Sequence, residues 1–343
     1  MKAAVIHAAH DLRIEDVPTP AMGEDEVRIR IRAGGICGSD LHYYHQGGFG
    51  AIRVREPMVL GHEIAGVVEA VGAAVSAVRP GDRVAVNPSR PCNSCAYCLG
   101  GQPRHCLEMR FFGSAMRFPH VQGGFREELV CSAAQAVKLP DSVSLEMAAF
   151  AEPLSVCLHA ANQAGPLLGR RVLVTGCGPI GALAIMVARR SGAREIVATD
   201  LAEAPLAMAR RIGADLAINM KDDAGRLDRF GADKGHFDVV FEASGSAAAL
   251  IAALGVARPG AVVVQLGLGG DMTLPINTIV AKEIQLRGTF RFDAEFAVAV
   301  DFIASGAIDV APLLTEIVPL AEAVRAFDLA SDRSRAMKVQ LAL

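Results

Sequence analysis

Apolar residues recur along this chain in two rhythms, and the change between them divides it. From Met1 to about Val137 the runs are short and interleaved with polar residues: KAAVIH, EVRIRIRAGGI, EIAGVVEAVG, RVAVN and EELVC, with glycine and proline between them. Such runs, punctuated by turn residues, predict strands of an all-β module. From Ser144 to Arg287 the texture changes. Buried-strand runs (RVLVTG, EIVATD, LAINM, FDVVFEASG, AVVVQLG, IQLRGTF) alternate there with helical apolar spacing. Strand and helix in alternation predict a parallel sheet covered on both faces. After about Gly288 the helix-like AEFAVAVDFIASG and a closing MKVQLAL strand fit either domain. A length of 343 residues also favours two domains over one.

Charge removes several function classes. A formal net charge of -3 gives no electrostatic reason to expect nucleic acid or an anionic membrane as partner. No uncharged stretch approaches the ~20 apolar residues that span a bilayer. The first residues, MKAAVIHAAHDLRIEDV, carry charges where a secretion signal needs an unbroken apolar core, so the expected location is the cytoplasm. Small-molecule chemistry is what remains. Eight cysteines in that setting point to metal more than to disulfides.

Two local patterns carry specific chemistry. In RVLVTGCGPIGALAIMVARRSGA, Gly176, Gly178 and Gly181 form G-x-G-x-x-G directly after a strand and at the mouth of a helix. Gly176 permits the tight turn, Gly178 lets the backbone approach a pyrophosphate, and Gly181 lets helix and strand sit close. Free N–H groups at the helix start serve the phosphates. Asp200 ends the next strand at the distance where an acid bonds ribose hydroxyls and repels a 2′-phosphate, so the expected coenzyme is NAD rather than NADP. The second pattern is CNSCAYCLGGQPRHC. Cys92, Cys95, Cys98 and Cys106 sit close enough in sequence to surround one tetrahedral zinc, and four thiolates leave no open position, which makes such a site structural.

Elsewhere, GGICGSDLHYY holds Cys37, Ser39, His42 and Tyr43, and VLGHEIAGVVEAVG holds His62 and Glu63. One thiolate and one imidazole make an incomplete set, since a catalytic zinc takes three protein ligands and an exchangeable position. A further carboxylate, Glu152, lies in the apolar run MAAFAEPLSVCLHAA, where it is costly unless a cation or hydrogen bonds compensate it.

The run GHEIAGVVEAVGAAV resembles the signature of the zinc-containing medium-chain alcohol and polyol dehydrogenases, and the cysteine lobe, the CGSD turn and the glycine loop follow in that family's order over essentially the whole chain. The resemblance implies a GroES-like catalytic domain, residues 1–149 with a C-terminal return over 288–343, and a Rossmann coenzyme domain over 150–287. The active site is implied to lie between them, in a homo-oligomer that is commonly a tetramer. It implies two zinc ions per chain and NAD. The match to the sorbitol-dehydrogenase branch makes Cys37, His62 and Glu63 ligands of the catalytic zinc, with Glu152 binding the metal or holding its water; the sequence leaves open which carboxylate is bound. The same resemblance makes Ser39 and His42 a proton relay, sets Pro179, Ile180, Leu266, Gly267, Leu268, Thr289 and Phe290 against the coenzyme, and gives Tyr43 and Arg291 to substrate hydroxyls. Where that branch often carries an arginine five residues beyond the acid, this chain has Pro205, which implies weaker NAD binding.

The long loop Glu108–Phe125, EMRFFGSAMRFPHVQGGF, resembles that of the L-idonate 5-dehydrogenases. Arg110, Arg117 and His120 would offer a sugar acid's carboxylate a cationic partner, although a solvated basic loop is an equally good reading. The expectation is oxidation of L-idonate to 5-keto-D-gluconate and the reverse reduction. The alternatives are a neutral-polyol dehydrogenase acting on sorbitol, xylitol or L-iditol, and a non-catalytic NAD-binding module.

Overall fold

A computed structural model describes residues 1–343, which divide into two compact units. The first comprises Met1–Glu152, Phe296–Asp332 and Lys338–Leu343; the second comprises Pro153–Glu295 and Arg333–Met337. The division falls just after Glu152, inside the helix Ala151–Ala164.

In the first unit the strand Glu26–Gly35 is the hub. Val27, Ile29 and Ile31 turn into the core while Arg28, Arg30 and Arg32 do not, as a period of two requires. This strand pairs antiparallel with Glu63–Val71, with Glu128–Ser132 and with the last strand, Lys338–Ala342. Arg83–Val86, Ala136–Lys138 and Leu314–Pro319 complete a seven-stranded sheet. Its core gathers Val27, Ile29, Ile31, Ile64, Val68, Val84, Val86 and Leu129. Register does functional work here: Gly35 lies opposite Glu63 on one side and Gln340 on the other, so three distant parts of the chain meet at one point.

The second unit is a six-stranded parallel sheet in the order Leu216–Asn219, Glu195–Asp200, Arg171–Thr175, Phe237–Glu242, Ala257–Gln265, Gln285–Gly288. This is the doubly wound order, in which ligands sit at the carboxyl ends of the strands. The expected α/β class with a β-rich partner is therefore the observed one. No helix is long and apolar enough to cross a membrane.

One expectation is corrected. The residues after Cys37 read as a turn, yet Gly38–Gln46 is a helix. Its polar composition hides it from periodicity, and it is fixed instead by its ends: the Cys37 N–H donates to Asp40 Oδ2 at 2.9 Å, and Gly47 closes it with φ of 65°.

Candidate active site

Two elements of the first unit bring Cys37, His62 and Glu63 together. Cys37 is the cap of the helix Gly38–Gln46, His62 precedes the strand Glu63–Val71, and Glu63 begins it. One ligand atom from each lies within 4.8 Å of the others. His62 and Glu63 are buried; His62 Nδ1 has no hydrogen-bond partner and lies toward Asp40, while Glu63 meets the Lys338 ammonium. A thiol, an imidazole and a carboxylate gathered at that spacing are a donor set that fits a divalent ion. Four thiols are the matching fit in the lobe, where the sulfurs of Cys92, Cys95, Cys98 and Cys106 likewise lie within 4.8 Å of one another.

Glu152 stands outside the three-residue set but within its electrostatic reach. Burial raises its carboxyl to about 8; His62 and Lys338 pull it down, while Glu63 and Cys37 push it further up. Burial likewise pushes the Cys37 thiol up to about 12, Glu63 adding to the effect. Both groups are held neutral without an ion and would ionise toward one.

Two neighbours were not assigned from sequence. Asp40 is fully buried, accepts the Gly61 N–H at 3.3 Å and lies 3.8 Å from His62 Nδ1, an orienting carboxylate behind a metal-binding imidazole. Lys338 is 3% exposed and is ion-paired with Glu63. Burial opposes its charge, but Glu63 and Cys37 outweigh that cost and raise its pKa. Asp40 sits inside the quoted CGSD stretch and could have been noticed there; nothing local marks Lys338.

Ser39 and His42 lie one turn apart on the helix after Cys37, so they share a face, and both are partly exposed. The Ser39 side chain acts on the Cys37 thiol in the direction that favours its ionised form. Tyr43, by contrast, is buried, and its hydroxyl accepts the Ala115 N–H at 3.0 Å, anchoring the long loop.

The structure places the loop arginines beside the cysteine lobe. Phe111 packs its ring 5.5 Å from that of His62, and alternation on the strand Arg110–Phe111 turns Arg110 the other way, opposite Arg90. Arg90, Arg110 and Arg117 line a hollow of about 490 Å³ with Cys92 and Glu108, to which Arg117 is paired; none of Cys37, His62 or Glu63 lines it. His120 is structural, with Nδ1 against Arg117 O at 2.7 Å and Nε2 accepting the Arg55 N–H at 2.9 Å.

In the second unit the glycine loop has the shape its sequence implies. Gly176 has φ of 82°, and a Cβ at Gly181 would lie 1.8 Å from Gly176 O. At Gly178 a Cβ would meet nothing, leaving open space before the helix Pro179–Arg190, which opens with Pro179 and Ile180, as a pyrophosphate cradle needs. Asp200 braces the loop: Oδ2 accepts the Cys177 N–H at 2.7 Å, and Oδ1 accepts Leu201 N–H at 2.7 Å and Ala202 N–H at 3.0 Å. Leu266, Gly267 and Leu268 follow the carboxyl end of the strand Ala257–Gln265. Thr289 Oγ1 is buried without a hydrogen-bond partner. Arg291 has φ of 55° and holds its guanidinium 4.8 Å above the Phe290 ring.

A dinucleotide loop on one unit and a thiolate, imidazole and carboxylate set on the other define a metal-assisted dehydrogenase. The comparisons agree: residues 23–141 match the alcohol dehydrogenase GroES-like domain, residues 179–305 match the zinc-binding dehydrogenases, and the chain belongs to that family of oxidoreductases. It is 45% identical over 314 residues to the L-idonate 5-dehydrogenase (NAD(P)(+)) of Escherichia coli K12, covering 91% of this chain and 90% of that protein. It is 39% identical to human sorbitol dehydrogenase, covering 94% and 91%. The crystal structure of the Escherichia coli L-idonate 5-dehydrogenase superposes with a TM-score of 0.96 at 41% identity, covering 100% of this chain and 98% of that one.

Proposed function

We propose that this protein oxidises a secondary alcohol of a sugar acid with NAD, converting L-idonate to 5-keto-D-gluconate and catalysing the reverse reduction. The observation that carries the reading is the set of Cys37, His62 and Glu63, whose ligand atoms lie within 4.8 Å of one another. When bound, the zinc ion makes a hydroxyl acidic and the dinucleotide accepts hydride. Cys37, His62 and Glu63 hold the ion, and Asp40 keeps the imidazole turned toward it. Glu152 adds a buried carboxylate able to ligate or to hold a water. The hydroxyl proton passes to Ser39 and then His42, one turn along the same helical face toward solvent. Two electrons and one hydrogen leave the carbinol carbon as hydride, and the proton leaves its oxygen, which balances the oxidation.

Arg291, matched by the family resemblance to an arginine that bonds substrate hydroxyls, has the fork of donors that suits vicinal hydroxyls or a carboxylate. The sugar-acid reading rests chiefly on likeness to a protein named for L-idonate; likeness to sorbitol dehydrogenases favours neutral polyols as the second reading. Asp200 retains acceptor capacity for ribose hydroxyls beyond its backbone bonds, which supports NAD over NADP. Assembly as a homotetramer in the cytoplasm belongs to the same reading, and light scattering on purified protein checks the assembly. The test of function is NADH production from L-idonate against sorbitol, xylitol and L-iditol on zinc-analysed protein. A higher kcat/KM for L-idonate supports the reading; a preference for the neutral polyols replaces it with the second.

A further inference from the structure

Glu242 is a buried carboxylate that the reaction as described does not use. It closes the strand Phe237–Glu242, is fully buried, and finds only neutral partners. Oε1 accepts the Ser244 N–H at 2.9 Å, the Thr175 hydroxyl at 3.3 Å and the Ser244 hydroxyl, while Oε2 accepts the Gly245 N–H at 3.1 Å and the side-chain amide of Gln265. N–H groups reach both oxygens, the pattern of an ionised carboxylate. A buried charge ordinarily has an ionic partner, and this one has hydrogen bonds alone.

Register shows what the charge lies beneath. Thr175 is opposite Glu242, Glu242 opposite Gln265 and Gln265 opposite Gly288, one row across the carboxyl ends of four neighbouring strands. A doubly wound sheet of this order takes one mononucleotide on each half, on either side of the point where the strand order reverses. Asp200 and the glycine loop belong to the adenosine half and the pyrophosphate, which leaves the nicotinamide to the half that Glu242, Gln265 and Gly288 close. The turn Leu266–Leu268 runs directly over the carboxylate. Leu266 and Gly267 donate their N–H groups to Glu242 O at 2.8 and 2.9 Å, and a Cβ at Gly267 would lie 2.9 Å from Glu242 Oε2, so glycine there lets backbone rest against the charge.

The nicotinamide ring is a cation in the oxidised coenzyme and neutral in the reduced one. A fixed anion in that half of the sheet therefore acts on one redox state, whereas a brace for the loops acts on both. We propose that Glu242 sets the redox preference of the coenzyme site, its buried charge favouring NAD+ over NADH and so favouring alcohol oxidation and release of the reduced coenzyme. The inference rests on the reading of this unit as the NAD site.

The test is a pair of dissociation constants, for NAD+ and for NADH, measured by titration calorimetry on the full-length, zinc-loaded protein without substrate. Glu242→Gln should raise the ratio Kd(NAD+)/Kd(NADH) by about tenfold, the scale of one charge acting across about 10 Å of protein. Glu242→Asp, which keeps the charge, and Thr175→Val, which removes one hydrogen bond and leaves it, should keep the ratio near that of the wild type even where both constants change. Gln265→Lys, which sets an ammonium against the carboxylate in place of the amide, should raise the ratio in the same sense and stands in if Glu242→Gln fails to fold. A wild-type ratio in the folded Glu242→Gln and Gln265→Lys variants would overturn the inference and leave Glu242 a brace for its loops. A wild-type protein that binds neither form of the coenzyme would instead overturn the reading beneath it.

Discussion

The cysteine lobe and the Cys37 site both suit zinc, and they are built in opposite ways. In the lobe, four ligands fall between residues 92 and 106, so a short loop closes the site with little help from the rest of the fold. Its sulfurs are steadied by local amides, with the Cys92 N–H donating to Cys106 Sγ at 3.1 Å and the Cys95 N–H to Cys92 Sγ at 3.3 Å. Hydrogen bonds from Ser94 and from nearby backbone push the Cys92 thiol down to about 6, ready to bind as thiolate. At the other site Cys37, His62, Glu63, Glu152 and Lys338 come from separated parts of the chain, and burial holds Cys37 and Glu152 protonated until an ion arrives. A locally closed set stabilises; a set assembled by the fold around mixed ligands leaves room for chemistry.

Mutation should separate the two most sharply. Cys37→Ser is expected to cut kcat/KM by roughly a thousandfold or more, the several kcal/mol a Lewis acid contributes, while circular dichroism and melting temperature stay near wild type. Cys95→Ser should do the reverse, lowering the melting temperature by about 5 °C or more with catalysis per folded molecule largely kept. Equal losses of turnover in both would erase the distinction. On the coenzyme unit, Asp200→Ala should narrow the preference for NAD over NADP by about tenfold, the value of one charged hydrogen bond, as read from the ratio of kcat/KM values. The name of the Escherichia coli relative admits both coenzymes, so the wild-type ratio is itself informative.

A smaller effect tests the buried carboxylate. In the folded, metal-stripped protein Glu152 keeps a proton to about pH 8, whereas the unfolded chain releases it near 4.5. The folded state then binds more protons across that window, and stability falls as pH rises through it. Glu152→Gln, which cannot ionise, should lose less melting temperature between pH 5 and pH 8 than the wild type when both are stripped of metal. Parallel pH profiles would show that Glu152 is not held neutral.

What could be read from sequence divides along the same line. Alternating strands and helices gave the α/β class with its β-rich partner, because hydrophobic periodicity is local. The cysteine spacing and the glycine loop were legible for the same reason, each being a contiguous segment whose shape follows from its own residues. Cys37 with His62 needed a family resemblance to become a site, since the strand register that joins them is invisible in either segment. Lys338 was unreadable: its ion-pair partner is Glu63, far back in the chain, and a lysine in a closing strand ordinarily faces water. Arg110 is the converse case. Its charge is evident in sequence, but the face of the strand Arg110–Phe111 on which it lies is fixed by Phe111 packing toward His62.

The most direct test of the central claim is an anomalous-scattering map at the zinc edge from crystals of the metal-replete protein. A second peak, apart from the one among the four lobe cysteines, is expected within bonding distance of Cys37 Sγ, a His62 ring nitrogen and a Glu63 or Glu152 carboxylate oxygen. A fully loaded lobe with no density beside Cys37, or Cys37 and His62 turned away from each other, would contradict the account.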